Sequence, residues 1–311
     1  MPIGVYAGLE MTGASVRQAV SDPAAQSEAV LALHEHFHTP LMLTAMDLSA
    51  EAETFGCTIR MSDEEIPTVI GRLAPSPEAI AALPAPQPGD LRTAVHLDSA
   101  RRLAASGKAP VLGGLIGPFS LAGRIYGVSE ALEATVSEPE TVLALLEKVT
   151  DFLAAYARAF RDASAIGVIM AEPAAGLLSP RGLARFSAPF VRRIVETTQR
   201  DDFTLMLHNC GAKLAHFPRV LESGAALYHF GAPMDILAAL AQADGKAILA
   251  GNLDPTAVFH SGTPEGVYAD ALGLARAAKA YPNFIMSSGC DLPPGTPLRN
   301  LEAFYQAVRD A

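Results

Sequence analysis

Short, almost wholly apolar runs that alternate with helical patterns constrain this chain more than any other feature. They lie at residues 40–46, 109–116, 165–171, 203–208, 225–230, 247–250 and 283–288. A strand covered on both faces reads as a continuous apolar run, whereas one with a wet face alternates. Between these runs the pattern turns helical. Val142, Leu145, Leu146, Val149, Phe152, Leu153 and Tyr156 fall at three- and four-residue steps, one face of a helix. Ser137-x-x-Glu140 ahead of them reads as a capping box. Ser179-Pro180, Thr263-Pro264 and Thr296-Pro297 each place a cap residue before a proline suited to a first turn, and Ser49 offers a cap for the segment carrying Glu51 and Glu53. Further helices are expected at 24–36, 91–106, 179–199, 213–222 and 234–243. Strand, helix, strand, helix gives a parallel sheet. Seven strands are credible, and an eighth is expected between 57 and 110. The reading is an α/β chain folded as a (β/α)8 TIM barrel, one domain over 1–311; a doubly wound sheet is the alternative. Pro75, Pro77, Pro84, Pro86 and Pro88 mark 57–90 as a surface excursion, either a lid or a plain loop.

Polar residues collect where the apolar runs end. Asp47, Glu172, His208, Cys210, Asp254, Cys290 and Asp291 stand at the carboxyl ends of different strands, and in a barrel those ends share the face that carries active sites. His208 and Cys210 are two apart, so on a strand they point to the same side. Cys290 closes the last run, 80 positions further on. Together they form a candidate set of three ligands for one Zn2+; the bland alternative is a satisfied core pair. The chain has only 3 cysteines, so two at strand ends carry weight, while Cys57 has the surroundings of a small apolar residue. No C-x-x-C pair occurs, which argues against a free-standing structural finger. Two ligands from one strand and a third far along the chain fit a catalytic metal with an open position.

Composition excludes several classes. A formal net charge of −10 is wrong for nucleic acid, which selects clustered Lys and Arg. No run of about 18 apolar residues is free of Gly, Pro or charge, so no membrane span is expected. The first residues lack the basic-then-apolar order of a signal peptide, and the small odd cysteine count fits a reducing cytoplasm.

The chain resembles the uroporphyrinogen decarboxylase superfamily, and within it the zinc-dependent corrinoid methyltransferases typified by methylcobamide:coenzyme M methyltransferase. The resemblance is carried by Thr44-Ala-Met-Asp47-Leu-Ser-Ala-Glu51-Ala-Glu53, Gly117-Pro-Phe-Ser-Leu-Ala-Gly123, Leu178-Ser-Pro180, His208-Asn-Cys-Gly211, Gly251-Asn-Leu-Asp-Pro255 and Ser288-Gly-Cys-Asp-Leu-Pro-Pro-Gly-Thr-Pro297. It implies a barrel, a zinc ion held by His208, Cys210 and Cys290, and methyl transfer from a methylated corrinoid protein to a deprotonated thiol such as coenzyme M. Two departures stand out. The decarboxylases' Arg-Gln-x-Gly-Arg is here Arg17-Gln-Ala-Val-Ser21, without the second arginine, so decarboxylation is not expected. Relatives place a carboxylate near the end of the strand after His-x-Cys, and here that strand reads Ala226-Leu-Tyr-His-Phe-Gly231. His229, Asp235 or a water is left for the fourth ligand position.

Glu172 and Asp47 are the candidate catalytic carboxylates, to orient His208 or receive the thiol proton, unless they cap backbone N–H groups. Asp254 and Asp291 suit either job, with Asp254 taken as cofactor-binding. Lys213 would pair with an anionic tail of the acceptor, or simply be exposed. His216, His229 and His260 have no ligand spacing to the triad and read as surface or structural. Two rival functions remain: a zinc-dependent thiol transferase with another electrophile such as an epoxide, and a non-catalytic corrinoid- or porphyrin-binding protein.

Overall fold

The computed structural model describes residues 1–311. Nine strands form in chain order: β1 (Met42–Leu43), β2 (Thr58–Arg60), β3 (Thr68–Ile70), β4 (Val111–Ile116), β5 (Gly167–Ala171), β6 (Thr204–Asn209), β7 (Leu227–Phe230), β8 (Ile248–Leu253) and β9 (Phe284–Ser288). Seven make one parallel sheet in the order β1-β4-β5-β6-β7-β8-β9, and helices lie in every crossover from β4 onward. A parallel pair needs such a crossover, so the apolar runs and the helical periods of the sequence require one another. All of β4 and β5 is buried, as the unbroken runs imply. At Gly113 in β4 a Cβ would stand 2.4 Å from the ring of Phe160, so this glycine lets a helix pack onto the strand.

That helix is Pro139–Asp162, and it buries all seven apolar residues of the periodic stretch, each contributing about 1.5–3 kcal/mol of burial. A core cluster of 74 residues runs through sheet and helices, with a separate cluster of 9 around Phe259 and Phe304.

The expected eighth strand is not between 57 and 110. β2 and β3 pair with each other, antiparallel and outside the main sheet. Their residues are exposed or half-buried, so neither offers the two covered faces that a barrel strand needs. The gap beside β9 is instead taken by the first residues of the chain. Ile3 bridges Asp291 in parallel, its N–H donates to Ser288 Oγ at 2.9 Å, and its carbonyl accepts from Leu292 N at 2.8 Å. Met1, Gly4 and Val5 line a small cavity together with Met42 and Leu43 of β1. The result is a curled seven-stranded sheet whose two edges are bridged by an irregular segment.

Several local expectations are corrected. The Ser137–Glu140 capping box does not form: Ser137 ends the preceding helix, its hydroxyl donates to Glu133 O, and Pro139 starts the next helix. The helix expected over 179–199 breaks at Ser187 into Pro180–Phe186 and Ala188–Thr198, because Pro189 has no N–H to give and crowds the turn before it. Ser49 caps nothing with its side chain; its hydroxyl donates to Asp47 instead. Thr296 does not cap the last helix either, since its hydroxyl donates to Pro293 O and Leu298 is the first helical residue. The helix expected at 213–222 is a single turn plus Phe217–Leu221.

Candidate metal centre

At the carboxyl end of β6 the chain leaves His208 buried and Cys210 half-buried, and β9 delivers Cys290 beside them. One ligand atom from each of the three lies within 4.8 Å of the other two. They share a cavity of about 250 Å³ with Met46, Leu48, Ile66 and Pro67 on its wall. Glycine makes the meeting possible: a Cβ on Gly231, just past β7, would lie 2.2 Å from Cys210 O.

The imidazole of His208 is held by its neighbour on the next strand. β6 and β7 pair with His208 opposite His229, and the two Nδ1 atoms are 2.8 Å apart. His229 Nε2 lies 3.0 Å from Ser287 Oγ, whose own hydroxyl proton is given to Met1 O at 2.6 Å. A hydroxyl has one proton to donate, so Ser287 must accept from His229, and His229 carries its proton on Nε2. Its Nδ1 is then an acceptor, His208 donates from Nδ1, and the lone pair of His208 falls on Nε2. That atom is buried and has no hydrogen-bond partner in the protein. Burial, with the neighbouring His208 adding to it, holds the pKa of His229 well below the ordinary range, so His229 stays the neutral acceptor this chain requires.

The two thiols are neighbours, within 4.8 Å of each other. The closeness of Cys290 lowers the pKa of Cys210, and the closeness of Cys210 together with burial pushes Cys290 up to about 12. A buried, unpartnered imidazole nitrogen beside two cysteine sulfurs is the donor set that zinc takes. With Zn–S near ~2.3 Å and Zn–N near ~2.0 Å, a tetrahedral ion needs its donors roughly 3.5–4 Å apart, which atoms gathered within 4.8 Å approach closely. The residues present therefore fit a zinc ion.

Neither residue considered for a fourth ligand belongs to the cluster of donors. Both ring nitrogens of His229 are engaged, and Asp235 accepts from Ala238 N as the cap of Ile236–Ala243. Reading His229 as merely surface or structural from its spacing misses its role, because the spacing that matters is across the sheet. Nor are the other two histidines ligands. His216 is buried between Lys213 N and Leu178 O, and His260 lies in the turn Pro255–His260.

The carboxylates at the strand ends divide. Glu172 is buried and accepts from Phe119 N and Ser120 N at 2.8 Å each and from Ser187 Oγ at 3.1 Å. Those amides begin the helix Pro118–Tyr126, so Glu172 caps it from another strand. Asp47 accepts from Ser49 N and Ser49 Oγ and pairs with Arg92, which also reaches Glu53 at 2.7 Å. Neither carboxylate hydrogen-bonds the side chain of His208. Asp254 accepts from Thr256 N and Ala257 N, capping the turn that follows it. Lys213 is exposed and takes no place on the cavity wall.

Asp291 and Arg124 do line the cavity. Both oxygens of Asp291 are buried without a partner; burial, with Cys290 beside it, holds its carboxyl well above the usual range. Sequence reasoning passed over Arg124, whose one signal is its place one residue beyond the Gly117–Gly123 stretch. Glu51, which the sequence gives no role beyond its place in the segment after Ser49, is fully buried and accepts from Ile116 N at 2.9 Å, and burial pushes it up to about 8.

Comparison with known proteins agrees with this geometry. The Uroporphyrinogen decarboxylase (URO-D) family pattern matches residues 4–311. A methylcobamide:CoM methyltransferase of Methanosarcina acetivorans is 30% identical over 314 residues, covering 97% of this chain and 89% of that one. A methylated-thiol–coenzyme M methyltransferase of Methanosarcina mazei is 27% identical, over 85% of this chain and 71% of its own. Among solved structures, a methyltransferase from Methanosarcina mazei superposes with a TM-score of 0.89 at 21% identity, covering 100% of this chain and 92% of that one. No helix is long and apolar enough to cross a membrane.

Proposed function

The chain belongs to the uroporphyrinogen decarboxylase family, and on that premise we propose that it is a zinc-dependent methyltransferase. It takes a methyl group from a methylated corrinoid, carried by a partner protein, and gives it to a small thiol such as coenzyme M. One observation carries the reading: His208, whose buried Nε2 has no partner, gathers with Cys210 and Cys290 so that one ligand atom of each lies within 4.8 Å of the others. Methyltransferases among the relatives support the reaction class.

His208, Cys210 and Cys290 would hold the zinc ion, and the ion supplies one thing, an acceptor thiol kept deprotonated at neutral pH when its free pKa is about 8.5. The protein's residues do the rest. His229 and Ser287 fix which nitrogen of His208 is bare. Glu172 anchors the Gly117–Ser120 turn under the cavity, and Asp47, clamped by Arg92, anchors the turn after β1; both are positioning groups rather than proton carriers. The apolar wall of Met46, Leu48, Ile66 and Pro67 excludes water from the sulfur. His208, Cys210 and Cys290 would supply three donors to the ion, and the acceptor thiol would be held beside them in the cavity. As the C–S bond forms the Co–CH3 bond breaks, its electron pair remains on cobalt, and the thiol proton leaves to solvent. Decarboxylation is not part of this reading: Arg17 pairs with Asp63 on the exposed surface, away from the cavity. The whole of 1–311 acts as one domain in a reducing cytoplasm, where both cysteines stay free.

The test is zinc content of the purified protein together with transfer from methylcobalamin to a panel of thiols, with an epoxide as the rival electrophile. About one zinc per chain and methyl thioether as product are expected. No zinc, or alkylation by the epoxide alone, overturns the proposal.

A further inference from the structure

The hairpin of β2 and β3 is the part of 57–90 that reaches the metal centre. Ile66 and Pro67, in its turn, stand on the cavity wall with His208, Cys210 and Cys290. Every hydrogen bond and ion pair that leaves residues 58–70 goes to one place, the start of the helix Val16–Ser21. Val16 N donates to Asp63 O at 2.9 Å and Ser15 Oγ to Asp63 Oδ1 at 3.2 Å. Arg17 gives Nε to Asp63 Oδ1 and Nη2 to Met61 O, at 3.2 Å each. Arg60 pairs inside the hairpin, with Glu65. The inner face, Ile59, Met61, Ile66 and Val69, packs on the core through apolar contact alone. Both roots are fixed, by Cys57 N on Ala52 O at 3.0 Å and by Leu73 N on Ile125 O at 2.9 Å. Gly56 and Gly71, exposed and with φ of 104° and 74°, mark the bends where the hairpin leaves and rejoins the body. A Cβ on Gly71 would meet nothing within 4 Å, so that glycine serves the backbone and no packing contact.

We infer that this hairpin is a lid over the metal centre, bending at Gly56 and Gly71, latched by Ser15, Val16 and Arg17 on Asp63, and swung aside to admit the methyl donor. The inference rests on the proposed methyl transfer and deepens it. Displacement needs the sulfur and the methyl carbon about 3–3.5 Å apart. The cavity, about 250 Å³, suits a small thiol and cannot take in a corrin macrocycle, so the donor has to widen its mouth. Most of the wall cannot give: Ala171, His208 and Cys210 belong to the ends of β5 and β6, and Met46 and Leu48 flank the Asp47 that Arg92 clamps. Ile66 and Pro67 alone belong to a segment with no hydrogen bond to the strands and helices around the cavity. The latch is of the kind that a docking partner can displace. Arg17 and Asp63 are 49% and 66% exposed, and an ion pair in water holds weakly and is screened by salt. On opening, the apolar inner face is uncovered beside the mouth, where the donor arrives. Of the two expectations for 57–90, lid and plain loop, the bonding of 58–70 selects the lid for these residues.

Double electron–electron resonance on the full chain, as purified, tests this without turnover. Nitroxides go on cysteines placed at two exposed positions, Glu65→Cys in the hairpin and Glu196→Cys on the helix Ala188–Thr198, and the native chain labelled in parallel sets the background. One distance from the closed lid and a minor second distance from the open one are expected. Adding Asp63→Ala, an exposed change that removes the Arg17 and Ser15 contacts, is expected to raise the ratio of open to closed about 3–5-fold. High salt should raise the ratio in the latched chain and leave it unchanged in Asp63→Ala. Excess methylcobalamin should raise it in both, since a ligand that needs the open state populates it. A single distance under every condition makes the hairpin a fixed wall and overturns the inference, with the zinc site and methyl transfer untouched. A second distance that ignores Asp63→Ala overturns the latch, and one that ignores methylcobalamin overturns donor entry. Distances that respond as expected, in a protein that moves no methyl group to any thiol, leave the lid standing and remove the proposed reaction.

Discussion

Replacing His229 by Phe keeps an aromatic ring under His208 but removes the acceptor that orients it. In the native protein His208 Nδ1–H is given to His229 Nδ1 at 2.8 Å, in a place where both residues are only 2% exposed. The variant loses a hydrogen bond worth about 1 kcal/mol and leaves a buried donor unsatisfied at a cost of about 1–3 kcal/mol. The imidazole escapes part of that cost by turning away, which takes Nε2 off the sulfurs. Since roughly 1.4 kcal/mol is tenfold in an equilibrium constant, zinc should bind about 10–100-fold more weakly. Competition against a chromophoric chelator at pH 7.5 reads this directly. Ser287→Ala, one bond further out, frees the tautomer of His229 without removing it and should weaken zinc less than His229→Phe. Zinc affinity in His229→Phe within twofold of wild type, with the fold intact, would refute the proton chain from Ser287 to His208.

Other outcomes follow from the buried carboxylates and the close approach at the metal centre. Glu51 has an ordinary pKa near 4.5 when unfolded and about 8 when folded, so its contribution is fully present below pH 4.5 and is lost as pH rises toward 8. Glu51→Gln should therefore gain stability over wild type by roughly 1.4 kcal/mol per pH unit across that window, and a pH-independent difference in denaturant midpoint would contradict the assignment. Glu172→Ala leaves the amides of Phe119 and Ser120 without their acceptor and should destabilise by about 2–4 kcal/mol while zinc content holds; unchanged Tm with abolished turnover would instead make Glu172 a proton carrier. In Gly231→Ala the new methyl meets Cys210 O at 2.2 Å, so zinc stoichiometry should drop together with stability. A fully loaded, equally stable variant would show that this contact does not set the position of Cys210.

What was legible in the sequence was what one strand or one helix determines by itself. β4 and β5 could be read because both their faces are covered, so every residue of each is apolar or glycine. His208 and Cys210 could be paired because residues two apart on a strand share a side, and Cys290 because it ends its strand in the same way. The part of the site that was hidden depends on register and tertiary approach. His229 faces His208 only through the alignment of β6 with β7, and no spacing along the chain encodes that. Glu172 and Asp47 look like catalytic acids by position, yet their oxygens are claimed by amides and by Arg92 that arrive from elsewhere. Arg124 lies on a helix whose apolar pattern says only that it is buried. The eighth position of the sheet escaped for a different reason: Ile3 supplies a single bridge, too short to leave a period. Ser137-x-x-Glu140 was a false signal because Pro139 sets the helix start one residue before Glu140.

The most direct measurement is X-ray absorption at the zinc edge on the purified protein, beside Cys290→Ser. The expected spectrum has two sulfurs at about 2.3 Å and at least one nitrogen at about 2.0 Å from the ion, and one sulfur fewer in the variant. A shell of light atoms alone, or one that Cys290→Ser leaves unchanged, would contradict the claim that His208, Cys210 and Cys290 hold one ion.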